Sequence, residues 1–506
     1  MTPPLTPSVD ATATIGQESH FKLGSHPRGL TTLFFTEMWE RFSYYGMRAL
    51  LVLFMTAAVS GGGMGMEVGT AGAVYGLYTS MVYLLSLPGG WVADKLWGQR
   101  KAVFVGGCII ASGHFSMAVP TTPTFYLGLL LIVIGTGLLK PNVSAMVADL
   151  YPEGGARRDA GFSIFYMGIN LGAFLGPSLC GLVGERYNFH LGFSLAGIGM
   201  VFGLIQYRLG GKHLAQAGLF RSEETAAVLT ARRKMFYMSI GVLVALAGAF
   251  GFLVYSGVLA VSIQDLAAWL GASILILSGG FFLYLFAAGG LTPVEKRHLA
   301  VIIWLYLLAA VFWAGFEQAG SSLNLFARDL TDRNVAGWEL PASWLQNVNA
   351  IFIIIMAPMF GWLWTWLANR KVTPSAPLKF GLGLLGLAAG FFVISWGAAN
   401  ASESSRVSMN WLTVTYFLHT VGELCLSPVG LSSMTKLAPQ GRVGQMMGVW
   451  FIAAALGNLV AGLEASGLEV LAPSALFLNV AWFALIAGGI AILASPVMKR
   501  MAYGAD

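Results

Sequence analysis

Seven ionisable side chains stand inside apolar stretches of this 506-residue chain: Glu37, Glu40, Arg41, Arg48, Lys140, Glu317 and Glu423. A charge near the middle of a bilayer costs about 2.5–3.5 kcal/mol, so seven without partners would cost on the order of 20 kcal/mol. Partners or a water-filled cavity are the natural escape. The densest group reads Glu37-Met-Trp-Glu40-Arg41-Phe-Ser-Tyr44-Tyr45-Gly-Met-Arg48. At about 100° per residue, its six polar side chains share one stripe roughly 140° wide, leaving the rest of a helix for lipid and packing. Lys140 precedes Pro141, where a missing backbone donor frees a carbonyl, so a lysine beside a helix break is expected. His419 and Glu423 are four apart and share a helix face. A packing role is expected for His419 and for His114.

Four carboxylates and three cations leave this set one negative charge, which one bound proton would cancel. Such a set suits a cation-coupled carrier whose buried acids titrate. Arginine offers a fork and lysine a point charge to an anionic group. A carboxylate elsewhere would meet a positive one. A ligand with both charges, two or three peptide residues long, fits that polarity. Sodium as the coupling ion, or another zwitterion, would satisfy the same charges.

The elements that hold these residues follow from composition. Hydrophobic residues make up 56% of the chain and charged residues 10%, against about 25% charged in soluble domains. A soluble enzyme, a nucleic-acid binder, a disordered chain and a disulfide-stapled secreted protein are excluded. The net charge of +6 suits the positive loops of a membrane protein. Cys108, Cys180 and Cys425 each lie in apolar sequence and suggest neither disulfides nor a metal site. The first twenty residues lack an apolar core, so no cleavable signal peptide is expected.

Windows of about 20 apolar residues suffice to span a bilayer. Fourteen are found, near 29–57, 69–92, 102–119, 124–150, 162–185, 189–208, 235–258, 265–290, 298–327, 345–367, 378–398, 411–435, 443–465 and 473–496. The predicted organisation is a cytoplasmic tail (1–28), a six-helix bundle (29–208), a cytoplasmic linker (209–234), an inserted helix pair (235–290), a second six-helix bundle (291–496) and a cytoplasmic tail (497–506). With both termini cytoplasmic, 22 of the 29 Lys and Arg fall in cytoplasmic segments or, for Arg208 and Lys379, at the cytoplasmic ends of spans, and 4 in outer loops, as the positive-inside rule requires. Pro88–Lys101 (PGGWVADKLWGQRK) and Pro358–Lys371 (PMFGWLWTWLANRK) echo each other in corresponding places, as parallel repeats of a rocking carrier would.

At these residues the chain resembles the proton-dependent oligopeptide transporter (POT/PTR) family of the major facilitator superfamily, bacterial type. The resemblance covers about 29–496. It is carried by E-x-x-E-R-F-x-Y-Y (Glu37–Tyr45), GGWVADKLWGQRKAV (89–103), GTGLLKPN (135–142), GFSIFYMGINLGA (161–173), FEQAGSS (316–322) and GELCLSPVGLS (422–432). It implies an all-α polytopic membrane protein with the major facilitator fold, importing di- and tripeptides with protons by alternating access. Glu37, Glu40, Arg41 and Glu317 would couple the proton. Arg48 and Lys140 would take the peptide carboxylate, with Tyr45 and Tyr83 beside them. Tyr166, Asn170 and Asn349 would contact the peptide. Glu423 would receive its amino terminus, flanked by Ser427 and Trp450. An Arg48–Glu317 bridge would form the outer gate, and Asp94, with Arg100 and Lys101, a cytoplasmic latch. One departure matters: 69–92 contains no histidine, where several relatives carry one, so coupling rests on carboxylates.

The resemblance further implies a bacterial inner-membrane monomer with no cofactor beyond protons as the coupling ion, and no nucleic-acid partner. The alternative is a facilitator for nitrate, an organic acid or a drug; the Glu37–Arg41 motif together with Glu423 argues against it, since a purely anionic substrate needs no amino-terminus acceptor. An enzyme or primary pump is not expected, since G-x-S-x-G, H-E-x-x-H, paired intramembrane aspartates and a phosphate loop are all missing.

Overall fold

The computed structural model describes residues 26–153, 155–220, 224–402 and 404–503. Most of the expected N-terminal tail, Arg221 and Glu223 of the linker, and residues 504–506 lie outside these. Fourteen long helices form the molecule. The first six are α1 (Arg28–Thr56), α2 (Val68–Val92), α3 (Gln99–Met117), α4 (Thr122–Asp149), α5 (Gly155–Gly176) and α6 (Phe189–Gly210). Two follow as an insertion, α7 (Ala226–Tyr255) and α8 (Ile263–Ala288). The last six are α9 (Pro293–Phe316), α10 (Asn347–Asn369), α11 (Ala376–Ala399), α12 (Asn410–Lys436), α13 (Val443–Glu464) and α14 (Pro473–Tyr503). This is an all-α, multi-pass membrane fold of two six-helix bundles and an inserted pair.

Among the described residues, eleven helices are long and apolar enough by composition to cross a membrane. The other three are α1, α3 and α12. Helix α1 falls short because it carries Glu37, Glu40, Arg41 and Arg48. All four are buried, so protein rather than lipid surrounds them.

Helix starts follow local chemistry. Ser262 and Thr292 each accept from the backbone three residues on, while Asp265 and Glu295 reach back to the cap, giving α8 and α9 capping boxes. Pro293 opens α9, where a missing N–H costs nothing. Helices overshoot the apolar windows: α14 runs to Tyr503, beyond the expected end at 496, and α7 starts at Ala226, inside the expected linker. Basic residues there (Arg232, Arg233, Lys234, Lys499 and Arg500) continue the helix into water once the apolar stretch is exhausted. No break occurs at Pro141; α4 is continuous to Asp149. Asn142 Nδ2 donates to Leu138 O (2.7 Å) and Gly89 O (3.3 Å), fastening α4 to α2 across the proline. Four two-residue strands, outside any all-helical expectation, order the loops after α9 and α11. Thr331–Asp332 pairs in parallel with Val407–Ser408, and Asn334–Val335 pairs with Trp338–Glu339.

Helix α1 packs on α5 and α6, and α2 and α3 pack on α4, in the first half. In the second, α11 packs on α12 and α14, and α9 on α13. The halves meet mainly through α2 against α13. A Cβ at Gly72 would stand 2.3 Å from Gly462 O, so only glycine allows this approach. The inserted pair is peripheral. Helix α8 touches α2 and α13, while the apolar window of α7 is wholly exposed within the protein and faces the lipid. Its anchors are Arg233 Nη2 to Leu96 O (2.9 Å) and Trp97 Nε1 to Tyr237 Oη (3.2 Å).

Candidate functional site

Helices α1, α2, α4, α5, α9, α10, α12 and α13 enclose a central cavity of about 390 Å³. Thirteen of the fifteen residues singled out from sequence line it: Glu37, Arg41, Tyr45, Arg48, Tyr83, Lys140, Tyr166, Asn170, Glu317, Asn349, Glu423, Ser427 and Trp450. Glu40 does not reach the cavity; it is fully buried behind Arg41. Asp94 stands exposed in the turn after α2, with no ion pair among the described residues. Arg100, the expected latch partner, donates instead to Ala217 O and Ala215 O (2.6 Å each), and Lys101 lies over the Trp97 ring.

The α1 stripe assembles as its spacing predicts. Arg41 Nε lies 3.2 Å from Glu37 Oε1 and 2.5 Å from Glu40 Oε2, so two carboxylates share one guanidinium. Glu37 Oε2 and Glu40 Oε1 are buried and take no hydrogen bond from the described residues. Two turns along, Arg48 pairs with Glu317 across the two halves and donates from Nε to Tyr75 Oη (2.7 Å). Glu317 sits at a 3₁₀ turn, Glu317–Gly320, that interrupts α9 before the short helix Ser322–Asp329.

The remaining two charges have no ionic partner among the described residues. Lys140, from α4, places Nζ 4.0 Å from the Tyr83 ring centroid. Glu423, from α12 in the opposite half, accepts from Asn349 Nδ2 at 3.2 Å, and Asn349 also donates to Thr420 Oγ1 (2.9 Å). A cation on one wall and a carboxylate on the other therefore face one cavity unneutralised. Tyr45, Tyr166, Trp450 and Phe451 add aromatic surface between them. His114 and His419 pack: His114 Nε2 lies 3.1 Å from Ser43 Oγ, and the His419 ring is 4.8 Å from that of Phe391.

The two ends of the bundle differ. Among the described residues the hydrogen bonds between the halves, the Arg48–Glu317 pair included, lie in the part of the bundle where α1 finishes. Glu185 accepts from the Ala342 and Ser343 amides (2.7 and 3.0 Å) and from Ser343 Oγ (2.5 Å). Asn324 Nδ2 donates to Ala49 O (2.9 Å), Arg328 Nη1 to Thr56 Oγ1 (2.7 Å) and the Gly69 amide to Glu469 Oε1 (2.6 Å). Trp344 Nε1 and Asn347 Nδ2 reach Ser178 (2.8 and 2.9 Å). Among the described residues no hydrogen bond joins the halves at the end where α1 begins, so the hydrogen-bonded seal of the cavity lies at the Thr56 end.

Three contributors to this arrangement are not evident in the sequence. Tyr75 lies in an apolar run whose pattern does not distinguish it. Glu185 and Glu464 fall at span ends, where a charge is unremarkable; Glu464 nevertheless accepts from Gln318 Nε2 (2.7 Å) beside the 3₁₀ turn.

Two bundles around a central charged cavity, sealed at one end, define a membrane carrier. The sequence model described as "POT family" matches residues 100–474. The chain is 43% identical over 448 residues to "Peptide transporter YePEPT" of Yersinia enterocolitica subsp. palearctica serotype O:3 (strain YE-P4), covering 87% of each chain. It is 39% identical over 435 residues to "Di-/tripeptide transporter" of Lactococcus lactis subsp. cremoris, covering 84% of this chain and 86% of that one. Among solved structures it resembles a peptide transporter POT crystallised with sulfate, with TM-score 0.88, 40% identity and coverage of 96% and 97%. The chain belongs to the POT family of transporters.

Proposed function

We propose that this protein imports di- and tripeptides together with protons, using Lys140 and Glu423 to hold the two ends of the peptide. The observation that carries this reading is the pair of unneutralised charges on opposite walls of one cavity. A zwitterion completes both at once: its carboxylate meets Lys140 and Arg48, its ammonium meets Glu423. The aromatic surface between them accepts side chains without selecting one. A cavity of about 390 Å³ falls among sites for small molecules, about 300–1,000 Å³. Peptide transport by the similar Yersinia and Lactococcus proteins supports the same reading.

The paired charges support proton coupling. Glu37 and Glu40 share Arg41, one positive charge between two negative, and each keeps a buried oxygen without a donor. One proton makes that trio neutral. Protonating Glu317 would release Arg48 from the seam, freeing a guanidinium for the substrate carboxylate and letting the Thr56 end part. With the basic loops cytoplasmic, the Arg28 end faces the cytoplasm in the bacterial inner membrane, and the hydrogen-bonded seam closes the outer side. On this reading the proton is the coupling ion, and one chain, which holds the whole cavity, is the transporting unit.

The test is uptake of labelled dialanine into proteoliposomes with and without an inward proton gradient. Accumulation that an ionophore abolishes, and that Glu37→Gln loses, is the expected result. Counterflow without a response to the gradient would remove proton coupling while keeping the peptide site. No dialanine movement by folded protein would shift the reading to a carrier of non-peptide solutes.

A further inference from the structure

A second cavity, of about 800 Å³, lies on the far side of α12 from the central one, at the Arg28 end of the second half. It runs between α10, α11, α12 and the last turns of α14. Helix α12 is the wall between the two: Glu423 and Ser427 face the central cavity, while Leu424 and Pro428 face this one. Its walls change character along their length. Ala357, Phe360, Leu424 and Val429 make the deep part apolar, and Lys379, Lys436 and Lys499 converge at the mouth. No carboxylate lines the cavity, and none of the three lysines has an ion-pair partner among the described residues. Lys379 Nζ is held 4.0 Å over the Trp364 ring, which fixes its place at the mouth.

Depth identifies the occupant. Twelve residues of α12 separate Leu424 from Lys436, a rise of roughly 18 Å. Half of a hydrocarbon core is about 15 Å. With the apolar end near the bilayer centre, the lysines stand at the headgroups of one leaflet. A soluble anion would use the mouth and leave the apolar depth idle. An amphiphile of one leaflet's length uses both.

We propose that this groove binds an anionic phospholipid, its phosphate on Lys379, Lys436 and Lys499 and an acyl chain against Phe360, Leu424 and Val429. Basic pockets between membrane helices take lipid headgroups in this way. The proposal is independent of the peptide reading, since it uses none of the central residues.

The experiment is native mass spectrometry of the full-length protein released from nanodiscs of phosphatidylcholine with one quarter phosphatidylglycerol. Wild type is expected to retain phosphatidylglycerol in preference to phosphatidylcholine. Combined Lys379→Gln, Lys436→Gln and Lys499→Gln should reduce that retention at least fivefold. Arg208→Gln with Lys212→Gln and Lys234→Gln, which removes the same charge from exposed sites elsewhere, should leave it unchanged. Should the lysine triple fail to fold, Ala357→Trp fills the apolar depth without touching a charge and should reduce retention as well. Equal retention of both lipids, or equal loss in both triples, overturns the proposal. So does lysine-dependent binding of inorganic phosphate by calorimetry while lipid retention stays unaltered.

Discussion

The two ends of the central cavity are governed by different physics. At the Thr56 end, charges and amides are consumed in joining the halves: Arg48 with Glu317, Glu185 with two backbone amides, Glu469 with another. Deeper in the cavity, Lys140 and Glu423 face each other's wall with no ionic partner among the described residues. A seam is stable because its charges are neutralised; a binding site is useful because its charges are not. On the proposed reading the carrier cycle is a matter of exchanging partners, with the substrate supplying opposite charges to the site while protons release those in the seam.

That contrast can be broken at several points. The heaviest loss is expected from Glu317→Gln, which leaves Arg48 buried without its counter-charge. Gln cannot titrate and leaves Arg48 without its counter-charge throughout the cycle, so gradient-driven dialanine uptake should fall more than about 100-fold. Near-normal uptake would show that the seam does not depend on this pair. Next come the free charges: Lys140→Gln and Glu423→Gln should each raise the dialanine KM by about tenfold or more, an interaction near 1.4 kcal/mol, in initial-rate measurements on proteoliposomes. Gly72→Ala is milder. Its methyl would press on Gly462 O, and overpacking costs about 1–3 kcal/mol. Its expected signature is a lowered melting temperature and slower uptake with unchanged KM. The smallest effect belongs to the inserted pair. Leu246 on α7 is exposed, and Leu246→Ala should change uptake by less than about twofold, as surface changes away from packed features do.

Much of this site is legible in the sequence because intramembrane charges are costly enough to be conspicuous. Glu37, Arg41, Arg48, Lys140, Glu317 and Glu423 stand out against apolar neighbours, and helical periodicity alone places the α1 group on one stripe. Tyr75 escapes for the converse reason. A tyrosine in an apolar run carries no signal until the fold brings Arg48 to its hydroxyl. Glu185 and Glu464 escape because span ends normally carry charge, and only three-dimensional packing shows them spent on backbone amides and on Gln318. Pro141 misleads in the other direction: it predicts a break, but Asn142 secures the backbone on both sides and α4 runs through. The ends of α7 and α14 exceed their apolar windows because helical hydrogen bonding continues into water where hydrophobicity stops.

The central claim is that Lys140 and Glu423 read opposite ends of one ligand. The most direct measurement is binding of dialanine, N-acetyl-dialanine and dialanine amide to wild type, Lys140→Gln and Glu423→Gln by calorimetry on the purified protein. Wild type should prefer dialanine over both capped forms. Glu423→Gln should lose its preference over the acetylated peptide and keep that over the amide, and Lys140→Gln should do the reverse. If both variants weaken all three ligands equally, the two charges shape the cavity without reading peptide ends, and the account is wrong.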